Sequence, residues 1–319
     1  MIEFRIDEDN AGLRLDKFLR KKLSQVPVSH LFKMIRTKKV RVNGKRAQPE
    51  QPLAAGDVLS IRGDEQKLMT AETPQAARLL PPLDMSQLKI LLEDDWMMAV
   101  NKPSGMAVHT GSGITGGTLV DFVRAHLGDK ATRNDFNASP AHRLDRDTSG
   151  VILVAKRRPA MVHFMEVFSE GRAKKRYLTL AMGRFPQNRG RIDVPLSEHQ
   201  QTAKSKNQHG VKMQEAVTHY HVLEQGPGCA LLECTIETGR THQIRRHLAS
   251  LGHPVAGDRK YGDFGFNREA KAQWGLKRLF LHAERIEVPH PEHGRKVLVR
   301  AELAPDLQDV LKRAALKLP

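Results

Sequence analysis

Apolar positions in the first sixty residues form two helical rows and then change period. Leu15, Phe18, Leu19 and Leu23 recur at helical spacing, with Arg20, Lys21 and Lys22 on the other faces. Pro27 breaks the run, and Ser29 is placed to cap a second helix carrying Leu31, Met34 and Ile35. The polar positions of that helix and its exit are Lys33, Arg36, Lys38 and Lys39. Val40 to Val42 then reads as a short strand entering an Asn43-Gly44 turn, and Val58-Leu59-Ser60-Ile61 alternates as a second strand after Gly56-Asp57. Residues 1–63 therefore predict a small helix–helix–strand–strand domain. Residues 64–87, with Pro74, Pro81, Pro82 and no sustained period, predict a linker.

A second folded region is expected over 88–319. Leu88 to Leu92, the acidic turn Glu93-Asp94-Asp95, and Trp96 to Val100 read as a hairpin. The unbroken run Val151 to Ala155 predicts a strand buried on both faces. Pro159 starts and Gly171 ends a helix whose row Met161, Phe164, Met165 and Phe168 is expected to face the core. Ile244, Leu248 and Leu251 predict one apolar face of a further helix, closed by Gly252. Strands and helices mix without strict alternation, so the expected class is α+β.

Composition narrows the partners. The chain has 319 residues, with 52 Lys+Arg against 36 Asp+Glu and a formal net charge of +16. Such a surplus favours an anionic partner, and nucleic acid is the usual one. Residues 1–63 hold 14 Lys/Arg against 7 Asp/Glu, so the surplus is concentrated partly in the small domain. No apolar run approaches the roughly 18 residues of a membrane span, and no signal peptide is visible at the start. A cytoplasmic protein is expected. The two cysteines, Cys229 and Cys234, fit small buried hydrophobes on opposite faces of a strand.

Three stretches could carry chemistry. His142-Arg143-Leu144-Asp145-Arg146-Asp147-Thr148-Ser149-Gly150 is a polar loop tied to the buried strand, a rigid perch for reactive groups. An ionised Asp there can act as nucleophile or base, although the residues alone also admit a turn of surface ion pairs. Gly239 to Leu248 opens a helix with Arg245 and Arg246 near its start, suited to a phosphate or a carboxylate. His242 and His247 are five apart and do not share a helical face, so no metal site is expected. Tyr177, in Lys174-Lys175-Arg176-Tyr177, could stack on an RNA base or simply pack. No P-loop, GxGxxG, GxSxG or HExxH motif occurs, and no cofactor is suggested.

Taken together, these stretches resemble the RluA-type pseudouridine synthases. Residues 142–150 match the HRLDxxTSG motif at every specified position. Asn101-Lys102-Pro103-Ser104-Gly105, Gly239-Arg240-Thr241-His242-Gln243-Ile244-Arg245, Gly257-Asp258 with Tyr261-Gly262, and Leu279 to Ala283 extend the likeness along the chain. Arg14 to Leu19, Ser29, Val40 to Gly44 and Gly56-Asp57 resemble the S4 RNA-binding module. That fusion, with the loop Val108 to Gly113, is most similar to the RluC branch, which modifies large-subunit ribosomal RNA.

The resemblance implies a pseudouridine synthase fold, with a mixed, largely antiparallel sheet flanked by helices. It implies cofactor-free conversion of uridines in 23S ribosomal RNA, or in a pre-ribosomal particle, to their C-glycoside, after the uridine flips out of its stack. It makes Asp145 the catalytic carboxylate, Arg245 its partner, and Tyr177 the residue that stacks on the base and takes the C5 proton. Ile244 and Leu281 would line the pocket, and Arg143 would fill the gap left by the flipped base. The S4-like module would meet structured RNA with Arg20, Lys21, Lys33, Arg36, Lys38 and Lys39. A monomer is expected. Two rival readings are a non-catalytic RNA-binding assembly factor and a nucleobase hydrolase, whose product would be free uracil.

Overall fold

A computed structural model describes residues 2–6, 11–23, 26, 28–62, 88–110, 117–133, 136–197 and 213–318. The chain divides into two compact units, Met1–Pro82 and Leu83–Pro319. The proposed linker 64–87 and the glycine-rich residues 111–116 lie outside the described residues.

The small unit runs β1 (Ile2–Arg5), α1 (Leu15–Lys22), α2 (Val28–Arg36), β2 (Val40–Val42), β3 (Lys45–Arg46) and β4 (Val58–Ile61). The strands form a four-stranded sheet in the order β1-β4-β2-β3. Both rows read from the sequence are buried, with Leu15, Phe18, Leu19, Leu31, Met34 and Ile35 packing on Leu59 and Ile61. Asn43 and Gly44 both take positive φ, 49° and 74°, which gives the β2–β3 turn the twist that its strands need. The second helix starts at Val28, so Ser29 stands inside its first turn rather than at the cap. Strand β1 has no counterpart in the sequence reading, because four residues are too few to show a period.

The large unit begins with β5 (Lys89–Glu93), β6 (Met97–Lys102), α3 (Leu119–Leu127), β7 (Ser149–Ala155), α4 (Arg158–Ser169) and β8 (Lys174–Met182). It continues with β9 (Arg189–Asp193), β10 (Val217–Gly226), β11 (Cys229–Ile236), α5 (Gln243–Ser250), α6 (Phe264–Trp274), β12 (Leu281–Pro289), β13 (Lys296–Arg300) and α7 (Pro305–Arg313). A ten-stranded sheet runs β9-β10-β11-β8-β12-β7-β6-β5, with β13 beside β12 and the pair Ser139–Pro140 beside β7. Its pairings are antiparallel except β7 with β12.

Every residue of β7 is buried, as its unbroken apolar run predicts. Ile152 and Val154 join one core with α3 and α5. Val151, Leu153 and Ala155 join the opposite core, beneath α4. The same alternation puts Cys229 and Cys234 on opposite faces, both buried and unpaired. Truncating a leucine such as Leu153 to alanine would cost about 2–5 kcal/mol.

Two apolar positions expected in the core are exposed. On α4 the buried row is Ala160, Phe164 and Val167, while Met165 is exposed. At the end of α5, Leu251 is exposed and Gly252 (φ 77°) turns the chain away. On α4 the sheet covers the second of two adjacent apolar rows, whereas on α5 Ile244 and Leu248 are buried as expected and Leu251 lies just past the helix end.

The candidate active site

The motif loop is held at both ends. Upstream, the His142 Nε2 accepts the Leu153 amide at 3.1 Å, and burial pulls the ring's pKa down to about 3, so it stays neutral. Downstream, Gly150 (φ 116°) pairs with Ala283 so closely that a Cβ would lie 2.2 Å from the Ala283 carbonyl oxygen. Only glycine fits there. The Ser149 hydroxyl donates to His282 Nδ1 at 2.9 Å, since the other ring nitrogen must donate to the Ala301 carbonyl at 3.1 Å. Arg278 adds a bond to Ser149 Oγ at 3.1 Å and grips Asp306 with two more, at 2.6 and 3.1 Å.

The turn Asn101 to Gly105 buckles the middle of the loop. Lys102 is fully buried, and its ammonium donates to the carbonyls of Pro103, Met106 and Arg146 at 2.8, 2.9 and 3.0 Å. These three bonds use all its protons. Burial pulls its pKa down to about 7, while the charges of Asp145 and Asp147 act in the opposite direction. The Ser104 hydroxyl donates to the Asp147 carbonyl at 2.7 Å, and the Gly105 amide donates to the Arg146 carbonyl at 2.9 Å.

This frame presents Asp145 to the start of α5. Arg245 Nη1 donates to Asp145 Oδ2 at 3.2 Å, across 100 residues of chain. Two further donors of the same guanidinium, on Nε and Nη2, are held by Asp258 through bonds of 2.7 and 2.9 Å. Asp258 is 1 % exposed and also accepts the amides of Lys260 and Tyr261 at 2.8 and 3.0 Å. Burial alone would raise its pKa, but Arg245 and these amides hold it below the usual carboxylate range. The Arg245 guanidinium is thus fixed from behind and aims one edge at Asp145.

His242 precedes α5 with φ 55°, a left-handed conformation uncommon for a residue with a Cβ. Its Nε2 lies 3.7 Å from Asp145 Oδ1, and its Nδ1 is 2.9 Å from the Tyr261 hydroxyl. Burial pulls its pKa down, partly offset by the charge of Asp145.

Asp145 borders a cavity of about 330 Å³ whose apolar wall includes Tyr177, Ile244 and Leu281. Tyr177 follows a β-bulge at Arg176/Tyr177 in the β8–β12 pairing, and such a bulge re-aims a side chain. The tyrosine is buried, and burial followed by the charge of Asp145 pushes its phenol far above the usual tyrosine range. Ile244 and Leu281 are each 4 % exposed, while Arg143 is exposed at the rim. The cavity therefore gathers Asp145, Tyr177, Arg245, Arg143, Ile244 and Leu281, all six residues singled out in this unit. Among the described residues no cluster of three or more His, Cys, Asp or Glu could hold a metal. No described helix is long and apolar enough to cross a membrane.

Comparison with known proteins places this geometry. Residues 96–250 match the family described as RNA pseudouridylate synthase, and residues 13–59 match the S4 domain. Ribosomal large subunit pseudouridine synthase C of Vibrio vulnificus is 39% identical over 307 residues, covering 96% of this chain and 94% of that protein. The chain belongs to the RNA pseudouridylate synthase family. The Escherichia coli K12 protein of the same name is 38% identical over 313 residues, covering 97% of the synthase and 95% of the relative. The solved structure of Human RNA Pseudouridylate Synthase Domain Containing 4 aligns with a TM-score of 0.59 at 25% identity, covering 72% of the synthase and 94% of that chain.

Four contributors escaped the sequence reading as site residues. Lys102 and Asp258 are visible only as members of longer matching stretches, because the partners that tie them to the site, Arg146 and Arg245, lie 44 and 13 residues away in the chain. His242 and Tyr261 likewise stand only within matching stretches, with no role assigned beyond the exclusion of His242 as a metal ligand. A signal for His242 existed in its place, three residues before Arg245 at a helix entry.

In the small unit, Arg20, Lys33, Arg36, Lys38 and Lys39 are exposed. Arg20 lies 5.7 Å from the ring centre of the half-exposed Phe32. Lys21 belongs to α1, but its side chain lies outside the described part.

Proposed function

We propose that the synthase converts specific uridines of 23S ribosomal RNA, free or in an assembling particle, to pseudouridine without a cofactor. The large-subunit synthases it matches over nearly their full length support the large-subunit substrate. The observation that carries the chemistry is the carboxylate of Asp145, gripped by an Arg245 that Asp258 immobilises, at the wall of an apolar cavity.

In this reading Asp145 is the catalytic carboxylate acting at the sugar, and Arg245 keeps it oriented. The uridine flips into the cavity, Tyr177 stacks on its ring, and Ile244 and Leu281 close the apolar wall. The base leaves C1′, turns and rejoins through C5. A phenol with so high a pKa holds no standing negative charge at neutral pH. Tyr177 can therefore take the C5 proton only as its own hydroxyl proton passes on, ultimately to N1 of the detached base, which must gain one as C5 loses one. The exposed Arg143 at the rim occupies the gap left in the RNA stack.

Residues 1–63 serve as the docking module, 64–87 connect it, and 88–319 catalyse. The exposed cations Arg20, Lys33, Arg36, Lys38 and Lys39, together with Lys21, meet RNA phosphates. The protein works in the cytoplasm as a monomer.

Asp145→Asn keeps the shape and removes the charge. It should lower tritium release from uridine-tritiated 23S RNA by at least about a thousandfold, while RNA affinity changes less than about tenfold. Full turnover by the variant would refute the assignment of Asp145.

A further inference from the structure

Asp145 does not border one cavity alone. A second cavity of about 600 Å³ opens on its other flank. The two share three residues, Asp145, His242 and Arg245. Their linings differ in kind. The first has the apolar wall of Tyr177, Ile244 and Leu281. The second is lined by Arg146, Arg259, Lys260, Lys277 and Arg278, with Asp147 and Asp258.

The ion pairs of this second lining leave a residue of positive charge. Arg245 is engaged by Asp145 and Asp258, Arg146 by Asp147, and Arg278 by Asp306. Each carboxylate of the cavity is thereby matched. Arg259, Lys260 and Lys277 are exposed, and among the described residues none of them has a carboxylate within ion-pair distance. Lys260 lies 5.4 Å from the Tyr261 ring centre, which leaves its charge available. These cations approach from two directions. Arg259 and Lys260 follow Asp258, and Lys277 precedes Arg278. The two segments are joined tightly, since Gly257 (φ 76°) lies where a Cβ would come within 2.1 Å of the Arg278 carbonyl oxygen.

The geometry of a nucleotide matches this division. Its sugar carbon C1′ carries the base on one side, and the backbone leaves through the 3′ and 5′ oxygens on the other. With the reacting sugar at Asp145 and the base in the apolar cavity, the backbone is directed toward the cationic one. We infer that the groove formed by Arg259, Lys260 and Lys277 binds the phosphodiesters flanking the flipped uridine, so that the target strand crosses Asp145 from one cavity to the other. This rests on the assignment of Asp145 and the base cavity made above. Its consequence is that the synthase grips the target nucleotide at two ends, one apolar and one anionic, and holds its sugar between them.

The test uses the full chain and 23S RNA made by transcription. Arg259→Gln combined with Lys277→Gln should raise KM about tenfold, with kcat falling far less. Single-stranded phosphate contacts contribute about 0.7 each to the salt slope, so log(kcat/KM) against log salt should flatten by roughly 1.4. A control pair, Arg124→Gln with Lys130→Gln, removes two exposed cations that do not line this cavity and should leave the slope within about 0.3 of the parent. An unchanged slope in the groove variant, or an equal loss in the control, would overturn the proposal. RNA affinity is measured in parallel in the Asp145→Asn background. There the groove substitutions should weaken binding by the same factor without any turnover. If the unmodified synthase releases no tritium from 23S RNA, the substrate reading fails while the binding comparison still decides the groove.

Discussion

The synthase carries its charge in two different states. In α1, α2 and the following turn, Arg20, Lys33, Arg36 and Lys39 project into solvent. Around Asp145, the same residue types are buried and fixed: Arg245 is 8 % exposed, Asp258 is 1 % exposed, and they meet through two bonds below 3 Å. Exposed cations are individually weak, screened by salt and tolerant of small shifts. A buried pair is unforgiving, because its burial is offset only while its geometry is kept. In the proposed scheme, affinity is spread over many replaceable cations, whereas the chemistry depends on the one assembled triad of Asp145, Arg245 and Asp258.

The sharpest way to break this contrast is to exchange cations without changing charge. Arg245→Lys keeps the charge but cannot grip Asp258 with two bonds and still reach Asp145. Turnover should fall by about 10²- to 10³-fold, measured by tritium release at saturating RNA. The same exchange in the small unit, Lys33→Arg with Lys39→Arg, should leave RNA affinity within about twofold. If both exchanges proved equally mild, the distinction between fixed and free charge would fail.

Asp258→Asn touches no reacting atom in the proposed scheme, yet it frees the back of Arg245. Turnover should fall by about a hundredfold, and stability by about 3–5 kcal/mol in urea unfolding. Full activity would mean that Arg245 needs no such support. Removing three free cations should do less. Lys33→Gln, Arg36→Gln and Lys39→Gln together should weaken 23S RNA binding about tenfold and flatten its salt slope by roughly 2.

Buried histidines make a further contrast, in stability against pH. Folded His142 remains neutral until about pH 3, whereas a free imidazole titrates near 6.5. Below pH 6.5 the unfolded chain binds a proton that the folded chain refuses, so stability falls as pH drops toward 3. Buried His282, with its pKa pulled down to about 4, acts in the same direction. The melting temperature should decline from pH 7 to pH 4. His142→Gln, which keeps an acceptor for the Leu153 amide and cannot titrate, should make that decline shallower.

Much of the architecture was legible because strong periods and turn residues leave local marks. The two helical rows of the small unit, the buried strand β7 and the Asn43-Gly44 turn all follow from neighbouring residues. Met165 is exposed because α4 offers two adjacent apolar rows and a distant sheet chooses between them, and Leu251 is exposed because the helix ends one residue before it. The motif around Asp145 announced itself through its residue types, but its clamp did not. Asp258 is an aspartate beside a glycine in the sequence. It becomes the anchor of Arg245 only because the chain returns after α5 and lays its carboxylate against the guanidinium.

The sequence by itself determined the kind of protein this is: the elements, the excess of positive charge, and the motifs that mark the family. These are properties of residue order, readable within a few turns of chain. The tertiary structure alone decided which charges are fixed and which are free, and that Arg259, Lys260 and Lys277 line a cavity beside Asp145. Neutralisation in a low-dielectric interior depends on separations of about 3 Å between side chains. Those separations are set here by strands and loops as far as 100 residues apart.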